Sequence, residues 1–344
     1  MNGFGAAILI LLCFYTFYMG LNDGSNAVAT AMVTHAFKPK RAILLAAAAK
    51  FAVPLILYAI GYKAIAGTVS TGLIYTGAFD GIQPIKGFAF VLSGLVAALI
   101  WGFTTYFFKL PNSTSHTLMG GIIGSGLAAF GFHAVQWSNV AVKVILMVML
   151  APVIGLMLGY FLMSLIKKIG IRLEMRGAEK AVRILQRINT VILAGAFSTN
   201  NTQKSLGVFI LASLVGAADA PGRSAAFILI CLFAAALTAG LLLGGFRIVN
   251  TLGHKIFSMR PVHSLAAQIT TTSVMITASA LGVPVSTGQI MASSIMGVGA
   301  AERKSGVRWN TAGRIILSWF ATLPFAAGLG ASVYLLIAKV FMGL

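Results

Sequence analysis

Eight residues carry more chemistry than their surroundings allow: Gly20-Leu21-Asn22-Asp23-Gly24-Ser25-Asn26-Ala27, set between apolar runs. A carboxylate, two amides and a permissive glycine interrupt the hydrophobic segment at a depth where a membrane helix is normally continuous. Lipid tolerates unpaired backbone N–H and C=O groups only where they line a cavity or meet a ligand. An ionisable side chain at that depth is by default a functional residue. The structural alternative is a glycine-kinked helix in which Asp23 bonds a neighbour. A weaker echo, Thr199-Asn200-Asn201-Thr202-Gln203-Lys204, follows half a chain later. It is expected to form a second break that faces the first across one binding site.

Two more stretches, Pro111-Asn112-Ser113-Thr114-Ser115-His116 and Pro284-Val285-Ser286-Thr287-Gly288-Gln289, have the pattern of helix N-caps. Proline ends the incoming segment, Ser or Thr caps the outgoing helix, and Gly-rich sequence follows. A re-entrant hairpin would aim that helix's N–H groups and hydroxyls at the membrane centre, which makes an anion site. Ser113, Thr114 and Ser115 from one tip, with Ser286 and Thr287 from the other, would surround a tetrahedral oxyanion with donors. One such cap is weak evidence; a pair related by a repeat is good evidence.

The elements that must position these residues follow from composition. Hydrophobic residues make up 58% of the chain and charged residues 9%, with mean hydropathy +0.94. Soluble domains carry roughly 25% charged residues, so this chain cannot build a water-exposed surface. Apolar runs of about 20 residues recur, each long enough to cross the hydrocarbon layer. Alternating strand patterns of an outer-membrane barrel are absent. The chain reads as an all-α polytopic membrane protein of the cell membrane. No positive charge precedes the first apolar run and no small-residue cleavage site follows it, so a retained helix is expected rather than a signal peptide. The net charge of +19 would suggest nucleic acid in a soluble protein; here it is the positive-inside bias of membrane loops, and no nucleic-acid partner is expected. Cys13 and Cys231 lie in apolar segments without a CxxC or Cys/His cluster, so neither disulfide nor metal thiolate is expected. No cofactor is implied.

Apolar spans are expected over residues 6–19, resuming after the break to 36, and over 42–60, 85–108 and 140–166, with a mixed segment over 62–85. Residues 167–187 are the one extended charged stretch and read as a cytoplasmic amphipathic helix. It joins a first repeat, 1–166, to a second, 188–344. Pro284-Val285-Ser286-Thr287 matches Pro111-Asn112-Ser113-Thr114 at an offset of 173, and Gly297-Val298-Gly299 falls on Gly124-Ser125-Gly126 at the same offset. Asn200-Asn201 answers Asn22-Asp23 at 178. Matched landmarks in one order indicate an internal duplication.

Corresponding loops differ in positive charge. Lys38-Pro39-Lys40-Arg41 follows the first break, whereas Asp219-Ala220-Pro221-Gly222-Arg223 follows the second. Residues 62–85 are charge-poor where 247–260 hold Arg247, Lys255 and Arg260, and 132–139 lack Lys and Arg where 302–308 hold Arg303, Lys304 and Arg308. The halves are therefore expected to be two inverted-topology repeats, with broken helices, two re-entrant helical hairpins and about 10–12 membrane segments. Basic loops placed inside put the N-terminus outside. This is an architecture of alternating-access transporters.

On these residues the chain resembles the inorganic phosphate transporter (Pit) family, including its sulfate permease-like members. Each half of the family carries a signature like G-A-N-D-x-x-N-A followed later by P-V-S-T-T-H. Residues 20–27 and Pro284-Val285-Ser286-Thr287 are the nearest matches, and Asn201-Thr202-Gln203-Lys204-Ser205-Leu206-Gly207 is similar to N-D-A-Q-K-x-M-G. The resemblance covers nearly the whole chain. It implies cation-driven phosphate uptake through an inverted-repeat fold, commonly as a homodimer. It also marks departures: Asn201 stands where the family has Asp, Lys50 and Gln268 where each half usually has Glu, Gln289 for His and Gly288 for a hydroxyl residue. Three of four expected membrane carboxylates are missing, which puts the family's Na⁺ sites in doubt. Amide oxygens of Asn201 and Gln268 coordinating a cation, with Na⁺ near Asp23 and Asn201, is the remaining form of such a site.

Three roles are open to Lys50: a side chain snorkelling to an interface, a partner for Asp23, or a fixed cation facing the anion. Lys204 is either near the second break or a helix-end lysine among headgroups. His116 is expected to cap its helix locally. Together the expectation is a secondary transporter importing phosphate by alternating access, coupled to H⁺ or Na⁺. Substrate would lie between Asn22, Asp23, Ser113, Thr114, Ser115, Asn200, Asn201, Ser286 and Thr287, with Asp23, Lys50, Lys204 and Gln268 handling coupling or charge. Sulfate is the rival anion: it has no proton to donate to Asp23, whereas the loss of the other acids favours it. An uncoupled anion channel is the other alternative. An intramembrane hydrolase is disfavoured, because Ser and His adjacent in one cap do not present nucleophile and base to each other and Ser286 has no neighbouring His.

Overall fold

The computed structural model describes residues 3–108, 112–172, 178–216, 219–244 and 256–343. Among them every named element is helical, with one isolated bridge between Ile74 and Val135. Long runs of Ala, Leu, Ile and Phe without interior acids form α1 (Gly3–Asp23), α3 (Pro39–Ala59), α5 (Pro84–Phe107), α8 (Leu146–Arg172), α10 (Arg223–Gly244) and α13 (Trp309–Met342). These six are long and apolar enough to cross a membrane, α8 and α1 together with short flanking turns. A helix satisfies its own backbone, so it is one of the few forms such runs can take in lipid. Proline opens α3 and α5, where its missing N–H costs nothing. The other helices are α2 (Ala29–Val33), α4 (Ala64–Thr71), α6 (Thr114–Phe130), α7 (Trp137–Asn139), α9 (Ala178–Val215), α11 (Pro261–Ala280) and α12 (Thr287–Glu302). The segment 62–85 holds α4 and a short 3₁₀ turn, and α7 runs into α8 through a π turn, Val140–Ile145.

The basic stretch 167–187 is divided between helix ends. Its first residues close α8 and its last open α9, while 173–177, with Glu174 and Arg176, lie outside the described residues. The same holds for Arg247 and Lys255 of the later basic loop and for Pro111.

The two halves exchange partners. Helix α1 packs on α10 and α3 on α9, while α6 packs on α13 and α12 on α8. Glycines set these crossings. A Cβ on Gly20 would meet Leu237 O at 2.0 Å, and one on Gly240 would meet Phe17 O at 2.1 Å. Small residues let membrane helices approach to backbone contact, where packing substitutes for the missing hydrophobic drive. Gly124 of α6 and Gly297 of α12, which fall on each other at the sequence offset of 173, do the same work. Their added Cβ atoms would lie 1.9 Å from Ala327 O and 2.0 Å from Leu156 O.

Hydrogen bonds fix which ends meet. Arg183 donates to Thr34 O and His35 O, and Arg187 to Ala36 O, so α9 begins where the α1–α2 rod ends. Arg223 donates to Ala59 O, so α10 begins where α3 ends. Helices α5 and α6 form one hairpin and α11 and α12 another. Past α6 the chain is tied to the segment after α4 (Tyr75 N to Ala134 O, 2.8 Å; Gln136 N to Leu73 O, 2.9 Å). The far end of α12 is tied elsewhere, through Glu302 to Arg260 (2.5 Å), Lys167 (3.4 Å) and His263 (3.6 Å). The hairpin tips nevertheless touch: Ser115 Oγ donates to Val285 O at 3.0 Å. The hairpins thus reach a common centre from different ends.

One expectation fails. Thr199–Lys204 is not a break, because α9 runs uninterrupted through it. The stretch contains neither Gly nor Pro, and its polar side chains bond their own helix four residues back. Thr199, Asn201 and Thr202 donate to Gly195 O, Phe197 O and Ser198 O at 3.0, 3.0 and 2.9 Å. Such back-bonding satisfies polar groups inside a helix rather than ending it.

Candidate functional site

At Asp23 the first helix does change form. α1 stops there, Gly24–Ala27 follow as a 3₁₀ turn, and α2 resumes at Ala29. Gly24 sits against Leu241 of α10, where a Cβ would come within 3.1 Å of its side chain. Asp23 is buried and accepts three hydrogen bonds: from Thr114 Oγ1 at 2.6 Å, Asn22 Nδ2 at 3.0 Å and Asn26 Nδ2 at 3.5 Å. The Thr114 bond joins the broken helix directly to the first residue of α6.

The α6 tip is capped as its sequence implies, Ser113 Oγ accepting from His116 N at 3.4 Å. The capping oxygen is therefore that of Ser113, and the His116 ring instead faces Gln289, its Nδ1 3.4 Å from the amide Nε2. Ser286 occupies the matching position before α12 in extended conformation, but its side chain makes no capping bond. Thr287 Oγ1 turns to Met275 Sδ at 3.6 Å. Gly288 exposes its backbone to the first site: a Cβ there would lie 3.1 Å from Asn26 Nδ2 and 3.9 Å from Asp23 Oδ1. Both helix N-termini, whose first-turn N–H groups have no intrahelical partner, consequently converge on the surroundings of Asp23.

Lys204 holds the two tips together. Its fully buried ammonium donates to Ser115 Oγ at 2.5 Å, Val285 O at 2.8 Å and Asn201 Oδ1 at 3.3 Å. It is no headgroup lysine. Asn201, expected among cation ligands, instead offers its oxygen to this protein cation. Asn200, one residue back, donates to Ser279 Oγ at 3.2 Å and leaves its Oδ1 without a donor.

Lys50 does not snorkel, nor does it form an ion pair with Asp23 among the described residues. Its Nζ is fully buried 3.4 Å from the centroid of the Phe197 ring, and Ser198 Oγ donates to its carbonyl at 2.5 Å. Gln268 is not brought to the tips. It donates to Thr190 Oγ1 at 3.0 Å, nearly three turns from Asn200 along α9.

Sequence reasoning missed several members of the site. Tyr15 and Tyr18, one turn apart on α1, donate to Thr114 O at 2.5 Å and Gly102 O at 2.8 Å, anchoring the first hairpin. Gln203 receives Ile65 N at 3.0 Å and donates to Tyr62 O at 2.9 Å, pinning α4 beside the site. The tyrosines' spacing of three residues, one turn apart in an otherwise apolar helix that leads to Asp23, was a readable signal. For Gln203 the signal was its place at the glutamine of the N-D-A-Q-K-x-M-G resemblance, beside Lys204.

Compared with known proteins, residues 19–330 match the phosphate transporter family model. A Bacillus subtilis (strain 168) protein named a probable low-affinity inorganic phosphate transporter is 32% identical over 336 residues, covering 97% of this chain and 98% of its own. A protein of the same name from Mycobacterium tuberculosis (strain ATCC 25618 / H37Rv) is 30% identical, covering 95% of this chain and 76% of its own. In solved structures, the sodium-dependent phosphate transporter superposes with a TM-score of 0.83 over 98% of this chain and 100% of that one; at 21% identity the likeness speaks for the fold. The chain belongs to the phosphate transporter family.

Proposed function

We propose that this chain imports inorganic phosphate by alternating access, driven by a gradient of H⁺ or Na⁺, with the anion held between the two hairpin tips. As a member of its family it is a multi-pass transporter of the cell membrane and not an enzyme. The observation that carries the proposal is the meeting of α6 and α12 at one buried cation: Lys204 bonds Ser115 of one tip and Val285 of the other. Two helix N-termini, the hydroxyls of Ser113 and Ser286, those of Thr114, Ser115 and Thr287 once turned from Asp23, Val285 and Met275, and one ammonium make a donor-rich centre suited to a tetrahedral oxyanion. Asp23 supplies the acceptor that a protonated phosphate needs and that sulfate would meet as a like charge. Asn22 holds the Asp23 carboxylate, while Asn200 and Asn201 line the α9 side.

The inverted repeat is part of the same proposal. Its support is that α9 starts where α1–α2 ends, that α10 starts where α3 ends, and that the hairpins are rooted at different ends. Rocking one repeat against the other would then expose the shared centre to each side in turn.

The test is uptake of labelled phosphate into proteoliposomes of the purified protein. Saturable uptake, displaced by unlabelled phosphate and weakly by sulfate, is expected. Displacement by sulfate as effective as by phosphate would assign the site to the other anion. Unsaturable ohmic anion current under voltage clamp would make the protein a channel.

A further inference from the structure

Two lysines are fully buried in this core, and their surroundings differ in kind. Lys204 Nζ has three oxygen acceptors within 3.3 Å. Lys50 Nζ has none among the described residues and lies against the Phe197 ring. A buried ammonium without acceptors is strongly disfavoured, and an aromatic face returns part of that cost. Lysine, unlike arginine, sheds its proton readily in such a place.

The charges facing Lys50 can be counted. Asp23 interacts electrostatically with both Lys204 and Lys50. The buried His116 ring has the Gln289 amide 3.4 Å from Nδ1 and no carboxylate partner among the described residues, so it is counted as neutral. Tyr15 and Tyr18 donate their hydroxyl protons to backbone carbonyls and are neutral. Among the described residues no other carboxylate is buried in the core. Asp23 and Lys204 therefore balance each other, and an arriving monoanion would leave the site negative. Lys50 rides on the turn of α9 that ends at Ser198, about one turn before Asn201 and two before Lys204. It is placed to supply the missing charge.

We propose that Lys50 is a proton carrier that pairs each phosphate monoanion with one H⁺ and takes the place of a co-transported metal cation. This rests on the phosphate reading of the same site. As H₂PO₄⁻ binds between the tips, the Nζ lone pair takes a proton from the outer solution; when the anion leaves inward, that N–H bond breaks and the proton goes to the inner solution. The loaded site holds Asp23⁻, Lys204⁺, Lys50⁺ and H₂PO₄⁻. The unloaded site holds Asp23⁻, Lys204⁺ and neutral Lys50. Both sum to zero, so the cycle moves no net charge and phosphate crosses chemically unchanged.

The experiment is labelled-phosphate flux in proteoliposomes under separately imposed gradients. For the wild type, an inward proton gradient should drive net uptake, with no response to voltage set by potassium and valinomycin and none to replacing Na⁺ by N-methylglucamine. Lys50→Arg holds its charge permanently. It should retain phosphate–phosphate exchange while proton-driven net uptake falls about tenfold or more. Lys50→Gln should raise the KM about tenfold or more, and its residual uptake should respond to voltage. Stimulation of the wild type by Na⁺ or by voltage overturns the proposal. So does wild-type proton-driven uptake in either variant, or loss of exchange together with net uptake in Lys50→Arg, which would give Lys50 a binding or folding role. Absence of both phosphate uptake and exchange in the wild type under every gradient refutes the phosphate reading itself.

Discussion

Asp23→Asn tests the selectivity assigned to the site. An ionised carboxylate has about four acceptor positions and no donor. In Asp23, Oδ2 receives Thr114 Oγ1 and Oδ1 receives the Asn22 and Asn26 amides, so three are used and one remains, on Oδ2. A phosphate hydroxyl can take that last position; sulfate has no proton to give it. In the asparagine, one oxygen is replaced by an amide nitrogen that must face either Thr114 or the two neighbouring amides. With the nitrogen toward Asn22 and Asn26 it would face two N–H donors, so the oxygen turns to them, both its acceptor positions are filled, and the free acceptor on the Thr114 side is lost. A hydrogen bond to a charged partner contributes about 1.5–3 kcal/mol, so phosphate affinity should fall about 10- to 100-fold. Removing the carboxylate also removes the repulsion that sulfate meets. The assay is competition of unlabelled sulfate against labelled phosphate in proteoliposomes, with the detergent melting temperature as a control for folding. Phosphate preference should collapse in the variant. An unchanged phosphate KM with unchanged discrimination would refute both the acceptor count and the place given to the anion.

Gly124→Ala and Gly297→Ala should each lower the melting temperature, because their Cβ atoms would lie 1.9 and 2.0 Å from carbonyl oxygens of the opposing helix. Overpacking of this kind costs about 1–3 kcal/mol, and the near-equal approaches predict similar losses at the two sites. Ser115→Ala removes the shortest bond to Lys204 (2.5 Å) and should weaken phosphate uptake while leaving the melting temperature within a few degrees. At Glu302, burial raises the carboxyl's pKa, but His263, Lys167 and Arg260 outweigh it and hold the group below its ordinary value. Its contribution is therefore complete above the usual glutamate range and lost as pH falls through the lower folded value. Glu302→Gln should cost about 1 kcal/mol or less at neutral pH and flatten that part of the acid limb of a melting-temperature profile.

Much of the site was legible because lipid makes polar residues conspicuous. Asp23 beside Gly24 in an apolar run pointed to a break, and Ser113 after proline pointed to a cap; both are present. Thr199–Lys204 misled because polarity in an apolar segment has two solutions. One is to open the helix; the other is to bond back to it, and the absence of Gly and Pro decided for the second. The sequence offset of 173 set Gly124 beside Gly297. It did not show that each meets the last long helix of the opposite half, since partner choice is a property of the assembled bundle. The network of Glu302 with His263, Arg260 and Lys167 was invisible for the same reason.

Lys50 marks where sequence and structure part most sharply. A lysine near a span centre is ambiguous in sequence, because a shift of a few residues moves it from core to interface. Three-dimensional packing removes that freedom by closing Phe197 and Ser198 over it. Once the side chain is known to be dry, charge balance becomes the governing constraint. A site holding Asp23 and Lys204 is neutral, so any anion that enters must bring a cation or find one. A carrier rich in carboxylates recruits that cation from solution. Among the described residues there is one carboxylate at the centre and a lysine with no acceptor beside it, which makes a proton on the protein the simplest cation to recruit.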